Sequence, residues 1–226
     1  MKRTLIAILA IIALAISVAA QAETITLLTP SSGDATYSWN SKYGPYGYDS
    51  GGVTLGIGLA MDPPYGNDYT VSIFEVPIAQ LYGKDVTSAV LVVDAIGFGT
   101  NYYYGSASIG WLDTGSAVLT GDVVADGLGP AATARPGGMT IYDSGASFVD
   151  GLKEYDVKSY VLADVAAGRS FSTFVMSGSR DTYGNIYAAE SERGPRIIVE
   201  AVPEPTGLTA LAAGLAPLMF ILRRRK

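Results

Sequence analysis

The hydrophobic positions of this chain fall into short stretches rich in Val, Ile, Thr, Tyr or Phe, and Gly, Pro, Asn or Asp bound most of these stretches. Stretches of this kind are typical of β-strands. The predicted strands are residues 24–28, 53–59, 69–76, 88–98, 105–111, 170–177, 186–189 and 196–201. So many strands without amphipathic helices between them predict an all-β fold, an antiparallel sandwich rather than a parallel sheet.

One stretch predicts a helix. Asp156 is a good N-cap residue for residues 157–167, and Gly168 lies where such a helix would end. Residues 112–151 are rich in Gly, Ala and Asp, and they predict loops with short irregular strands or one helical turn. No repeat or long linker interrupts residues 23–201, so we expect a single domain there.

The N-terminal residues have the pattern of a targeting segment. Lys2 and Arg3 precede an almost unbroken apolar run at residues 5–18, and Ala20-Gln21-Ala22 supplies the small-x-small pattern that signal peptidase reads. We therefore predict a Sec-type signal peptide at residues 1–22, cleaved after Ala22, with an uncleaved anchor as the alternative. The protein is expected to be exported.

A second apolar run lies near the C terminus. Residues 208–222 are apolar except for Thr209, and with Gly207 they would form a helix of about 24 Å, short of the roughly 30 Å hydrocarbon core. Four cations follow, which can snorkel and fix this end on the cytoplasmic side; they are Arg223, Arg224, Arg225 and Lys226. The pattern predicts a transmembrane helix at residues 207–222 with a basic tail, and a permanent anchor is one interpretation of it.

Pro203, Glu204 and Pro205 stand directly before this span. The order of VPEP motif (residues 202–205), short span and Arg-rich end in residues 202–226 resembles the PEP-CTERM sorting signal of exported bacterial proteins. The two prolines disfavour a helix and keep the motif extended, and PEPTG lacks the Leu-Pro opening of a Gram-positive sortase signal. The resemblance implies an exosortase, a membrane-embedded cysteine transpeptidase-like enzyme, as the processing partner. It also implies a Gram-negative host that makes extracellular polysaccharide, and transient anchoring in the inner membrane before display or release.

Composition excludes several functional classes. The chain has no Cys and no His, which removes disulfides, Ser-His-Asp triads, cysteine nucleophiles and the usual zinc sites. Without Lys2, Arg3, Glu204 and the four terminal cations, nine basic and twenty acidic residues remain, a net charge of −11. Such a surface repels nucleic acid and anionic membranes, so no nucleic-acid partner is expected.

Two parts of the body resemble a known sandwich family. Residues 72–93 are similar to the first half of DNRLRE-type domains, and residues 155–178 with 188–201 are similar to the second half. The resemblance implies a β-sandwich of jelly-roll type, and some members of the family bind polysaccharide. Lys158 and Ile197 replace the family's usual Thr and Leu, and the family's tryptophan in the helix is absent.

Aromatic residues suggest a binding surface. Residues 39–48 and 101–111 are rich in Tyr and Trp, whose amphipathic rings can stack on sugar faces. The candidate carbohydrate-binding residues are Trp39, Tyr43, Tyr46, Tyr103 and Trp111. The alternative is that these rings fill the core or flank edge strands. Because the side chains of a strand alternate between its faces, at most some of residues 102–104 can be exposed together.

Carboxylates offer two further hypotheses. No diagnostic spacing marks an acid/base pair, so no catalytic residue is predicted; the residues considered are Glu75, Asp94, Asp156, Glu190 and Glu192. Glu190 is expected to bond a loop or to pair with Arg180 or Arg193. Asp62 and Asp68 are weak candidates for a structural calcium site, but ordinary turn chemistry explains them as well. No other cofactor is expected.

The sequence thus predicts an exported PEP-CTERM protein with one β-sandwich domain, displayed on the cell surface or released into the polysaccharide matrix. Its expected partners are signal peptidase, an exosortase, the inner membrane before processing, and extracellular polysaccharide. A structural or carbohydrate-binding role is favoured. The alternatives are an exported enzyme that acts on polysaccharide and a permanently membrane-anchored surface protein.

Overall fold

A computed structural model gives the fold, and it describes residues 22–40, 42–49, 52, 54–62, 66–96, 107–112, 114, 139–142, 150–178 and 182–203. Within these residues it defines twelve strands, one α-helix and one 3₁₀ turn (Ala79–Leu81). The strands and the helix are β1 (Glu23–Leu28), β2 (Asp34–Asn40), β3 (Gly44–Asp49), β4 (Thr54–Asp62), β5 (Gly66–Pro77), β6 (Lys84–Ile96), β7 (Ala107–Leu112), β8 (Met139–Tyr142), β9 (Gly151–Asp156), α1 (Lys158–Ala166), β10 (Phe171–Gly178), β11 (Thr182–Tyr187) and β12 (Arg196–Pro203).

Antiparallel hydrogen bonding joins the twelve strands into one continuous sheet, which is folded into two layers described below as two sheets. The first sheet has the order β1-β12-β6, with β9 on the other edge of β6. The second contains β3-β2-β5-β10-β7-β8. β11 and β4 connect β6 of the first sheet to β5 of the second. The structure therefore confirms the predicted all-β sandwich of antiparallel sheets.

The core lies between the two sheets. Alternate residues of β6, Ala89, Leu91 and Val93, contribute to one buried cluster with residues of β1, β5, β10 and β12. Phe74 of β5 and Phe174 of β10 are direct cross-strand partners, and their ring centroids are 6.2 Å apart. Each fully buried side chain of this size contributes about 1.5–3 kcal/mol to folding, so this cluster is the main source of stability in a protein without disulfides.

A second, smaller cluster lies on the opposite face of the second sheet. It contains Ala35 and Tyr37 of β2, Val71 and Ile73 of β5, and Val175 of β10. Since neighbouring side chains of a strand point to opposite faces, Ile73 belongs to this cluster while Phe74 belongs to the main core. β5 is therefore buried on both faces.

All eight predicted strands are present, with ends that differ by a few residues. The largest shift concerns the strand predicted at residues 186–189, which lies at Thr182–Tyr187. β2, β3, β8 and β9 are not among the eight predicted strands, although β8 lies in residues 112–151, for which short irregular strands were expected. The sequence of β3 contains Gly and Pro, which are typical of loops. β9 is a charged edge strand in which only Tyr155 is buried.

The predicted helix is confirmed, with one correction at its start. Val157 occupies the N-cap position, not Asp156. The Asp156 carboxylate still accepts a hydrogen bond from the Lys158 N–H at 3.0 Å, so it satisfies one of the free donors of the first turn.

The end of α1 lies where Gly168 predicted it. Gly168 has a φ of +67°, and its N–H donates to the Val165 carbonyl while the Arg169 N–H donates to the Asp164 carbonyl. This pair of bonds is a Schellman motif, for which a residue in the left-handed region is required.

None of the helices in the described residues is long and apolar enough to cross a membrane. The predicted signal peptide up to Gln21, the predicted span at residues 207–222 and the basic tail lie outside the described residues.

Candidate carbohydrate-binding site

The connection between β2 and β3 carries an exposed aromatic ring. Tyr43 is 67% exposed, the highest value among the large hydrophobic side chains that the structure describes as exposed. The ammonium of Lys42 lies 5.3 Å from the centroid of this ring. Tyr43 is one of the residues that the sequence predicted for sugar binding, and the structure shows its ring at the surface.

Asn40 fixes the backbone under this ring. Its side-chain oxygen accepts the N–H groups of Lys42 at 2.8 Å and Tyr43 at 3.2 Å, an Asx-type turn. Its amide nitrogen donates to Asp68 Oδ1 on β5 at 2.7 Å. We call Asn40, Lys42, Tyr43 and Asp68 the β2–β3 tip. The 8% exposed Asn40 therefore ties the backbone of Lys42 and Tyr43 to the neighbouring strand β5.

A β-bulge lies directly behind the tip. Ser38 pairs with Gly47 and Trp39 pairs with Pro45, so Tyr46 is an extra residue without a partner on β2. A bulge of this kind bends the strand and redirects side chains. The structure gives the backbone positions of Trp39 and Tyr46, while their side chains lie outside the described part.

Trp111 belongs to a different group of contacts, at the helix. Its indole N–H donates to Asp164 Oδ2 at 2.9 Å, and its ring lies 5.6 Å from that of Tyr160, between centroids. The guanidinium carbon of Arg169 is 5.5 Å from the centroid of the indole. The half-buried Trp111 is therefore fixed between β7 and α1 by side chains of the protein itself.

Asp164 organises this group and was not predicted. It is 1% exposed, and it also accepts the hydroxyl of Ser172 at 2.7 Å and forms an ion pair with Arg169 at 2.7 Å. Three donors, one of which is the Arg169 cation, compensate the loss of water around this carboxylate. The sequence signal was its spacing of three residues from Val161, which puts both on the buried face of α1.

The carboxylate of Asp94 in β6 forms an ion pair with Arg193, and the guanidinium of Arg193 lies near the ring of Tyr187. Arg193 also donates to the hydroxyl of Tyr187 at 2.9 Å, and its guanidinium carbon lies 4.2 Å from the centroid of that ring. The hydrogen bond that Arg193 donates to the Asp94 carboxylate raises the pKa of Arg193. Arg193 was considered as a partner of Glu190, but it pairs with Asp94.

Asp34, at the start of β2, is a buried carboxylate of another kind. It is 2% exposed and accepts the Ala189 N–H at 2.6 Å. Burial raises its pKa to about 6, and the negative charge of Glu190 acts in the same direction, against the lowering effect of the hydrogen bond from Ala189. Burial thus makes the ionised form of Asp34 less favourable than it is in water, and no local pattern in the sequence indicates this.

Of the two predicted calcium ligands, Asp62 and Asp68, the structure describes the side chain of Asp68 and the backbone of Asp62. Asp68 is bonded to Asn40, and the backbone of Asp62 pairs with Gly66 across the β4–β5 hairpin. In the part of the chain that the structure describes, no group of three or more His, Cys, Asp or Glu side chains could hold a metal ion.

The remaining predicted residues lie at the limits of the described chain or beyond them. Ala22 is exposed and directly precedes β1, and Pro203 is the last residue of β12. Outside the described residues are Ala20, Tyr103, Glu204, Pro205, Arg223, Arg224 and Arg225.

No protein-family model and no curated protein sequence matches the chain.

Proposed function

We propose that this chain is an exported protein of the PEP-CTERM type, processed by an exosortase and then displayed on the cell surface or released into the polysaccharide matrix. The order of motif, span and basic tail in residues 202–226 supports this proposal. The first and last strands of the described residues lie next to the two predicted signals. β1 begins at Glu23, directly after the predicted signal-peptide cleavage point, and β12 ends at Pro203 in the predicted motif.

For the body of the protein we propose a jelly-roll-type sandwich that binds carbohydrate. The observation that carries this role is the 67% exposed ring of Tyr43 on the β2–β3 tip, fixed by the two hydrogen bonds that Asn40 accepts. An aromatic side chain has few rotatable bonds, and a fixed turn leaves little freedom to lose on binding. A sugar face can therefore stack on Tyr43 at a small entropic cost.

The contacts of two of the buried carboxylates, Asp94 and Asp164, favour binding over catalysis. Asp94 is paired with Arg193, and Asp164 with Arg169, Trp111 and Ser172. Carboxylates held in this way stabilise the fold and are not free to exchange protons with a substrate. An exported polysaccharide-acting enzyme remains the alternative, and release of new reducing ends from the host polysaccharide would favour it.

The binding role is tested with the domain of residues 23–203 and polysaccharide isolated from the host. Replacement of Tyr43 by Ala is expected to weaken binding roughly 2- to 13-fold, because a ring contact contributes about 0.5–1.5 kcal/mol. Y43F keeps the ring and should bind nearly as the parent does. Y82A removes an exposed tyrosine elsewhere and is the matched control. Equal affinities for Y43A, Y82A and the parent would refute a binding site at the tip.

The sorting role is tested by the intact mass of the protein from membrane and secreted fractions of the host. Loss of residues 223–226 together with the span supports exosortase processing. A mass that retains Arg223 to Lys226 in both fractions would mean that the tail is a permanent anchor.

A further inference from the structure

Four strands form the edges of the sheet within the described residues, since each of them hydrogen-bonds to a single neighbouring strand. β1 pairs with β12, β3 with β2, β8 with β7 and β9 with β6. An edge strand presents backbone N–H and C=O groups that can pair with a strand of another molecule, unless the sequence of the edge prevents this. The four edges differ in this respect.

Three of these edges carry features that hinder pairing. β9 has charged side chains at Lys153, Glu154 and Asp156. β3 contains Pro45 and the bulge at Tyr46, and β8 is only four residues long. Charges, prolines, bulges and short strands are the means by which proteins keep sheet edges from pairing with other chains.

β1 has none of these features. Its six residues contain one charge, Glu23 at the first position, and this carboxylate forms an ion pair with the ammonium of Lys84. The strand has no proline, and its register with β12 is continuous from end to end, without a bulge. The remaining residues, Thr24–Leu28, are uncharged, and β-branched residues such as Thr and Ile favour strand pairing.

The side chains of β1 also fit a second copy of the same strand. Thr24, Thr26 and Leu28 are exposed on one face, and Leu28 is 64% exposed. Ile25 and Leu27 belong to the core side. In an antiparallel pair of two β1 strands centred on Thr26, each Leu28 lies opposite a Thr24 of the other copy. Core-side residues then lie opposite core-side residues, as the alternation of a strand requires.

Charge favours a second copy at this edge over pairing elsewhere on the surface. Residues 23–203 carry a net charge of −11, so two copies repel each other at most contact points. In the register centred on Thr26, no two like charges lie opposite each other, because residues 24–28 are uncharged. A two-fold axis through this pair uses the same patch on both copies, which is the commonest symmetry of oligomers.

We propose that β1 is an interface strand that pairs antiparallel with β1 of a second copy of this chain, across a two-fold axis at Thr26. The pairing joins the first sheets of the two copies into one continuous sheet and covers the exposed side chain of Leu28. The inference depends on neither the sorting function nor the carbohydrate-binding function proposed above.

A cysteine at the axis tests the pairing directly, because the chain has no Cys of its own. In the proposed register the Cα atoms of the two residues 26 are about 4.5–5.5 Å apart, a separation that a disulfide can span. The Thr26→Cys protein recovered from the host is oxidised mildly, and its mass is measured without reduction. Leu152→Cys on the edge strand β9 is the matched control, since Leu152 is 58% exposed.

A charge at the same position tests whether the interface is needed for association. Thr26→Lys places two ammonium groups opposite each other, and it is not expected to disturb the fold, because Thr26 is exposed. Leu152→Lys is its control. Sedimentation gives the mass of each protein in solution, and the urea unfolding midpoint shows that each variant is folded.

The parent and both Leu152 variants are expected to sediment at twice the mass of one chain, and Thr26→Lys at the mass of one chain. Thr26→Cys is expected to form a covalent pair of chains, and Leu152→Cys to form none. A parent that sediments as a single chain would overturn the inference, and so would a folded Thr26→Lys protein that is still a dimer. A disulfide-linked product of Thr26→Cys that contains a different protein and no second copy would overturn it as well.

Discussion

Trp111 and Asp164, which are 53 positions apart in the chain, form a direct hydrogen bond between the indole N–H and the carboxylate at 2.9 Å. The bond connects β7 to α1 across one end of the sandwich. It explains two features of the sequence together, a tryptophan in a strand and an acidic residue on the buried face of the helix.

Replacement of Trp111 by Phe should lower the free energy of unfolding by about 1 kcal/mol, beyond the small effect of the change in ring size. Phe keeps an aromatic ring against Tyr160 but cannot donate to Asp164. Urea unfolding of the parent and the variant measures the difference. An unchanged midpoint would mean that this bond does not stabilise the fold.

The substitution Asp164→Ala should have a larger effect, about 3–5 kcal/mol, because it removes the partner of a partly buried guanidinium and of the buried Ser172 hydroxyl at once. Asp164→Asn keeps an acceptor without the charge and is the matched comparison. We expect its unfolding midpoint to lie between those of the parent and the Ala variant. A loss with Ala no greater than that of W111F would contradict this assignment.

Asp34 should make the stability of the domain depend on pH. Its pKa is raised from 3.8 to about 6 in the folded protein, so between these values the folded state binds more protons than the unfolded state. The free energy of unfolding should therefore fall as the pH rises from about 4 to above 6, by at most about 3 kcal/mol from this group. Below pH 4 Asp34 is protonated in both the folded and the unfolded state, so it adds no further pH dependence to the free energy of unfolding.

The variant Asp34→Asn isolates this contribution, since Asn keeps an acceptor for the Ala189 N–H without a charge. The difference in unfolding free energy between Asp34→Asn and the parent should grow over the same pH range in favour of the variant. A constant difference from pH 4 to pH 7 would show that the pKa of Asp34 is not raised.

The effect of substitutions at Gly168 on stability should depend on the backbone conformation that the new residue tolerates and not on the size of its side chain. A side chain there meets open space, but the φ of +67° disfavours residues with a Cβ atom. Gly168→Ala should cost about 1 kcal/mol, and Gly168→Asn less, because Asn tolerates the left-handed region better than Ala. Thermal unfolding of the two variants should reproduce this order, and the reverse order would contradict the Schellman motif.

At Gly194, by contrast, the size of an added side chain should lower the stability of the protein. A Cβ atom at this position would lie 2.7 Å from the Ala188 carbonyl oxygen and 2.8 Å from the Ala189 Cα, both backbone atoms. Gly194→Ala must displace the loop before β12, at a cost of about 1–3 kcal/mol. Hydrogen exchange should show faster opening near Ala189, whose N–H Asp34 holds. Unchanged stability and unchanged hydrogen exchange would mean that the loop moves aside at little cost in free energy.

The sequence by itself determined those structural elements that depend only on residues close together in the chain. Short β-branched stretches between turn residues identified eight strands, and Gly168 marked the end of α1, because propensities and the left-handed end of a helix depend on residues a few positions apart. Local sequence patterns could suggest that Tyr43 is exposed, but they could not decide it.

The tertiary structure decided what depends on distant residues. The edge strand β9 became a strand through its pairing with β6, although its own sequence is charged. The partners of Trp111 and Arg193, and the burial that raises the pKa of Asp34, arise where chain segments far apart in sequence meet. The pairing of Glu23 with Ala201 is the clearest case. Backbone hydrogen bonds between strands carry no local sequence signal, so their register exists only once the whole sandwich has closed.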